Sequence, residues 1–179
     1  FIVEQIQSWT DQGNPRKSSA ILYRSNAQSR VIEEALIRVG LPYRIYGGQR
    51  FYERLEIRNA LAYMRMIIGR GDDPALERII NTPTRGIGSK TVDDLRAIAR
   101  DNNVSMWQAI GLAQQNGLLG SRARSSLAGF AALINELDSE TVELPLEEMV
   151  GHVIYRTGLI EFHKAEKGER GQARVENLE

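Results

Sequence analysis

The stretch Asn81 to Thr91, NTPTRGIGSKT, is a Pro- and Gly-marked hairpin between two segments of helical periodicity. Leu76, Ile79 and Ile80 line one face of the segment before it, and Val92, Leu95, Ile98 and Ala99 line one face of the segment after it. Gly86 and Gly88 relax the backbone around Ile87, which is placed to plug the groove between the two helices. The backbone N–H groups of the turn and of the following helix then point outward, where the helix dipole carries about half a positive charge. Arg85 and Lys90 add two full charges beside them. Two readings stay open on this pattern alone: a hairpin that holds phosphate, and an ordinary tight helix–helix turn.

GIGSKT resembles the tail of a nucleotide-binding phosphate loop, but the spacing is wrong. That motif places lysine directly after its last glycine so that the ammonium reaches the β- and γ-phosphates. Here Ser89 separates Gly88 from Lys90, and the preceding residues read as helix rather than strand.

At 179 residues the chain is one domain or two small ones, and its 42% hydrophobic share is ordinary for a globular protein. It has no cysteine, which excludes disulfides and thiolate metal sites, and its two histidines, His152 and His163, are too few for a histidine-rich cluster. No metal site is expected. No apolar run approaches the roughly twenty residues that span a bilayer, and Phe1-Ile2-Val3 meets Glu4 at once, so the default expectation is a cytoplasmic protein with no membrane partner. The first residue is not Met, and the closing ARVENLE reads as the opening of a continuing helix; the expectation is an excised fragment.

The net charge is zero, yet charge is sorted along the chain. Arg16 to Arg54 holds eight basic and three acidic residues, whereas Glu136 to Glu161 holds seven acidic and one basic. The first region could face phosphates and the second could not, unless both are merely solvated faces.

Phe1 to Gln12 reads as a helix ended by Gly13-Asn14-Pro15. Ala20 to Tyr23 reads as a short buried strand, Asn26 as the N-cap of a helix that stops at Gly40, and Tyr43 to Tyr46 as a second strand closed by Gly47-Gly48. Strand, helix, strand makes a βαβ unit with parallel strands, whose remaining sheet would lie outside this chain. From Phe51 the pattern is helical, which sets a boundary near Arg50. Asp73-Pro74 reads as N-cap and first helical residue, Ser105 with Gln108 as a capping box, and Lys164 to Arg174 as a mobile exit loop. The expected fold class is therefore mostly α with a small α/β part.

Four stretches, AILYRSNAQSR (Ala20 to Arg30), PYRIYGG (Pro42 to Gly48), NTPTRGIG (Asn81 to Gly88) and EKGERGQARVENLE (Glu166 to Glu179), resemble the UvrD/Rep/PcrA type of superfamily-1 DNA helicases, and the UvrD branch most. The resemblance covers essentially the whole chain. It implies that residues 1–50 are a βαβ piece of the second RecA-like motor domain, 2A. Residues 51–172 would be the helical 2B subdomain with its helix-hairpin-helix-like GIG motif, and residues 173–179 the return into 2A.

The resemblance also implies site residues. Duplex DNA would meet Thr84, Arg85, Gly86, Ile87 and Gly88; the helix start Ser89, Lys90 and Thr91 departs from the family's form but keeps a basic residue. Single-stranded DNA would meet Arg24 and Asn26, for which the plainer readings are a fixed surface arginine and the helix cap. The family's phosphate loop, acidic metal motif and arginine finger have no counterpart here, so the fragment is expected to have no catalytic residues and no cofactor. ATP and Mg would belong to the parent, an ATP-dependent 3′-to-5′ helicase. Expected partners are duplex and single-stranded DNA and the rest of the motor, with hinges near Gly47-Gly48 and Gly168 to Gly171. The alternative is a protein-interaction module that docks repair or transcription partners through the acidic stretch or the exit loop, with a purely structural hairpin.

Overall fold

The computed structural model describes residues 1–24, 26–46 and 50–179, with residues 26 and 27 described by their backbone. They divide into two compact units, Phe1–Arg54 and Leu55–Glu179.

The first unit contains helices α1 (Ile2–Asp11) and α2 (Asn26–Arg38). Its buried residues combine apolar Val3, Leu36 and Phe51 with a polar set. Glu33 on α2 is buried, and its carboxylate accepts the Tyr43 hydroxyl at 3.0 Å and the Phe51 N–H at 3.2 Å. Ser29, one turn earlier, accepts the Arg54 guanidinium at 2.6 Å, and the guanidinium groups of Arg30 and Arg54 each lie 5.4 Å from the centre of the Phe51 ring.

The expected βαβ piece is not formed: among the described residues there is no strand, so the α/β part of the expected fold class is overturned and the helical part stands. An apolar run signals burial, but a strand also needs a neighbour to complete its hydrogen-bond ladder. Leu22 is 94% exposed and Tyr46 is 84% exposed, so neither run lies against a sheet. Tyr43 is instead drawn onto the Glu33 carboxylate of α2. The Gly47-Gly48 hinge and the side-chain cap of Asn26 lie outside what is described.

The second unit is a helical assembly around α3 (Leu55–Ile68), whose core face carries Ile57, Ala60, Tyr63, Met66 and Ile67. It packs on α4 (Asp73–Ile79), α7 (Ser121–Thr141) and α8 (Leu146–Thr157), while α5 (Ser89–Asp101) pairs with α6 (Met106–Gln115). Leu127, Phe130, Ile134 and Leu137 of α7 recur at three- and four-residue spacing and are fully buried, as the 3.6-residue period requires.

Two local signals resolve differently from their sequence reading. Asp72, not Asp73, caps α4 by accepting the Ala75 N–H at 3.0 Å; Asp73 accepts the Met106 N–H at 2.9 Å and so ties α4 to the start of α6. The capping box Ser105/Gln108 opens α6 as expected. The expected exit loop from Lys164 to Arg174 is largely helical, because α9 (Leu159–Lys164) is followed by α10 (Glu169–Leu178). Gly171 permits this: a Cβ there would stand 2.6 Å from the carbonyl oxygens of both His163 and Glu166, so only glycine lets α10 lie this close to α9.

Candidate nucleic-acid interface

The hairpin between α4 and α5 is held from inside. Asn81 Oδ1 accepts two turn N–H groups, from Arg85 at 2.7 Å and from Ile87 at 3.2 Å. The Tyr63 hydroxyl donates to the Thr82 carbonyl at 2.6 Å, and burial pushes that phenol up to about 12. Gly86 takes φ +74°, a left-handed conformation costly for a side chain, and its open side faces the Ser126 hydroxyl of α7. Ile87 is 1% exposed and fills the groove between the helices.

What this leaves outside is the start of α5. Gly88 is its N-cap and supplies no side-chain acceptor, and the first turn carries no acidic residue. The leading N–H groups of α5 therefore have neither a side-chain cap nor a counter-charge, which is the electrostatic condition for receiving an anion. Thr84, Gly86, Gly88, Ser89 and Lys90 are exposed, and Thr91 is half-buried. Lys90 has no carboxylate partner among the described residues.

Arg85 is engaged elsewhere. Its guanidinium donates to the carbonyls of Pro83 at 2.9 Å, Thr157 at 3.2 Å and Ile79 at 3.3 Å, and it lies over the faces of Tyr63 and Phe130 at 5.6 and 5.9 Å. Ile79 and Thr157 are the last residues of α4 and α8. One cation thus satisfies the orphan carbonyls of two helix C-termini, where the dipole is negative. Of the hairpin's two cations, Arg85 presents its charge inward and Lys90 is exposed.

Sequence reasoning missed Asn81, Tyr63 and Ser126. Asn81 was legible in principle, because an asparagine opening a Pro/Gly turn commonly accepts backbone N–H groups a few residues on. Tyr63 and Ser126 come from α3 and α7, and nothing local to the hairpin points to them.

Arg24 and Asn26 belong to the first unit. Arg24 is exposed and its backbone N–H donates to Gln28 Oε1 at 2.9 Å; the Asn26 side chain is outside the described set. The acidic stretch is partly neutralised: Glu140 meets His152 at 2.7 Å and Arg156 at 2.9 Å, and Arg156 also reaches Glu136 at 3.0 Å. The Arg156 and then the His152 hydrogen bonds hold the Glu140 carboxyl down to about 2. Among the described residues no group of three His, Asp or Glu could hold a metal ion, and no helix is long and apolar enough to cross a membrane.

Comparison with known proteins places these features in a family context. The sequence model of the UvrD-like helicase C-terminal domain matches residues 1–166. Over all 179 residues the chain is 53% identical to DNA helicase II of Haemophilus influenzae and 51% identical to DNA helicase II of Escherichia coli K12. It is 37% identical to the ATP-dependent DNA helicase PcrA of Staphylococcus aureus. The chain spans about a quarter of the length of these curated relatives, 25%, 25% and 24% respectively.

Proposed function

We propose that this chain, which belongs to the UvrD-like helicase C-terminal domain family, is the DNA-contacting and regulatory part of an ATP-dependent 3′-to-5′ DNA helicase, with residues 51–172 as its 2B subdomain. The relatives are named as DNA helicases, and ATP with Mg would act in the remainder of such a protein. The hairpin does not fit a phosphate-loop nucleotide site. Ser89 stands where the phosphate-loop lysine would have to be, and the segment before the turn is the helix α4, not a strand.

The observation that carries the reading is the exposed, uncapped start of α5, with Gly88, Ser89 and Lys90 presented by the buried Ile87. Such a surface takes backbone phosphate without reading sequence. Thr84, Gly86 and Thr91 would flank the phosphate, Arg85 would hold the turn in shape, and Arg24 and Asn26 would meet single-stranded DNA. With two to four phosphates engaged, log K should fall with log salt at a slope of roughly −2 to −4. Lys90→Ala should reduce that slope by about 1 in a fluorescence-anisotropy titration of duplex DNA. An unchanged slope would remove the hairpin from the interface.

A second reading has its own observation. Val142, Leu146 and Tyr155 are exposed large apolar residues on or beside α8, within the acidic stretch that also bears Glu143, Glu147 and Glu148. This surface would suit a basic, partly apolar protein partner, and Tyr155→Ala should weaken such a partner while leaving the DNA salt slope intact.

A further inference from the structure

On the α3 side of the hairpin lies a cleft of about 520 Å³, lined by residues that include Leu55, Asn59, Arg78, Thr82 and Phe162. Asn59 is 2% exposed, yet its amide has no hydrogen-bond partner among the described residues. The amide atoms are not sealed from solvent, so they are open to a partner arriving from outside. Asn59 lines this cleft.

Arg78 is equally incomplete. It is half-buried, and no carboxylate lies within ion-pair distance of it among the described residues. Burial first, and then the like charge of Arg58, lower the Arg78 guanidinium from its ordinary value. Glu77 at the rim cannot compensate, because its carboxylate is taken by Arg96 at 2.9 Å. The Arg78 guanidinium, the unpartnered Asn59 amide and the Thr82 side chain line one cleft and form a donor set lacking its acceptor.

We propose that this cleft is a phosphate site, in which the Arg78 guanidinium and the Asn59 amide hold one phosphate group, with the Thr82 hydroxyl beside it. A dianion there removes the Arg58–Arg78 repulsion and gives the Asn59 amide its acceptor. The phosphate comes either from a free phosphate or mononucleotide, or from a nucleic-acid backbone. The site is separate from the start of α5 and does not depend on the role given to Lys90.

The test is the thermal midpoint of the 179-residue chain in inorganic phosphate against chloride at matched ionic strength. At a phosphate concentration tenfold above Kd the midpoint should rise by about 3–6 °C over chloride. Arg78→Gln should abolish the rise while keeping or raising the midpoint in chloride, since it removes a repulsion. Asn59→Leu, which deletes the unpartnered amide at similar volume, should also abolish the rise and stay folded. Equal midpoints in phosphate and chloride, or a full phosphate rise in Arg78→Gln, overturn the proposal. So does loss of the rise in Lys90→Ala, which would put the anion at α5. The two sources separate on affinity. Arg78-dependent binding of a mononucleotide as tight as that of a short oligonucleotide marks a free phosphate, and at least tenfold tighter oligonucleotide binding marks a backbone phosphate.

Discussion

The hairpin and the C-terminal helix pair each bury part of an arginine, and they satisfy it in opposite ways. Arg85 gives its hydrogen bonds to neutral carbonyls at the ends of α4 and α8. Arg174 gives its own to carboxylates: Glu166 at 2.6 Å and, more distantly, Glu56 at 3.7 Å. Around it His163 Nδ1 meets Glu166 at 2.6 Å, and Asn177 donates to Glu56 at 2.7 Å, so α9 and α10 are tied to α3 through polar side chains. A cation met by carbonyls keeps its partners at every accessible pH. One met by carboxylates loses them in acid, and its removal strands a buried negative charge.

The largest effect should therefore come from the C-terminal knot. Arg174→Ala leaves Glu56, whose side chain is 4% exposed, without its counter-charge; the cost should be about 3–5 kcal/mol in a urea titration. A loss under 1 kcal/mol would mean that Asn177 alone satisfies Glu56. The same region should be acid-sensitive. Burial alone raises the Glu166 carboxyl, but its hydrogen bonds to His163 and Arg174 outweigh this and hold it below the usual carboxylate range. A depressed carboxyl contributes stability that is complete above its unfolded value, about 4.3, and is lost as pH falls through the folded one. Glu166→Gln should flatten that part of the acid limb, and an identical limb in the variant would count against the knot.

Arg85→Ala comes next, at roughly 2–3 kcal/mol for three carbonyl hydrogen bonds that water can partly replace. Unlike Arg174→Ala, its cost should not change between pH 7 and pH 4, because no carboxylate is involved. A cost that falls with pH would erase the distinction between the two regions. Asn81→Ala should follow at about 1–2 kcal/mol, since it leaves the Arg85 and Ile87 N–H groups without their acceptor.

The difference between these regions also explains what the sequence disclosed. Ile87 as plug, the Ser105 capping box and the helical faces of α3 and α7 were legible because each follows from residues within one or two turns of one another. Arg85 was legible as a charge but not as an inward one, since its partners Thr157 and Phe130 are remote in sequence. The stretch from Lys164 to Arg174 read as a loop because its glycines and charges look like solvent-facing punctuation. Only the close approach of α10 to the His163 and Glu166 carbonyls shows why Gly171 is there. The strand expectation at Ala20 to Tyr23 erred by treating an apolar run as sufficient, when a strand is defined by a partner that local sequence does not contain.

The smallest effect tests the hairpin's support from α3. Tyr63→Phe removes the hydroxyl, which donates to the Thr82 carbonyl at 2.6 Å and more weakly to the Ile79 carbonyl at 3.5 Å, and keeps the ring that packs against Arg85. The cost at pH 7 should be about 0.5–1.5 kcal/mol. The alkaline limb separates this bond from simple packing. Burial raises the Tyr63 phenol to about 12, above an unfolded value of about 10, so the neutral hydroxyl contributes stability that is complete below the unfolded value. That share is lost as pH rises toward the folded one. The wild-type chain should weaken over this window and Tyr63→Phe should weaken less, which a denaturant series from pH 9 to pH 11 would reveal. Parallel limbs would mean that the hydroxyl ionises as freely as in water, and that the turn is held by Asn81 and Arg85 alone.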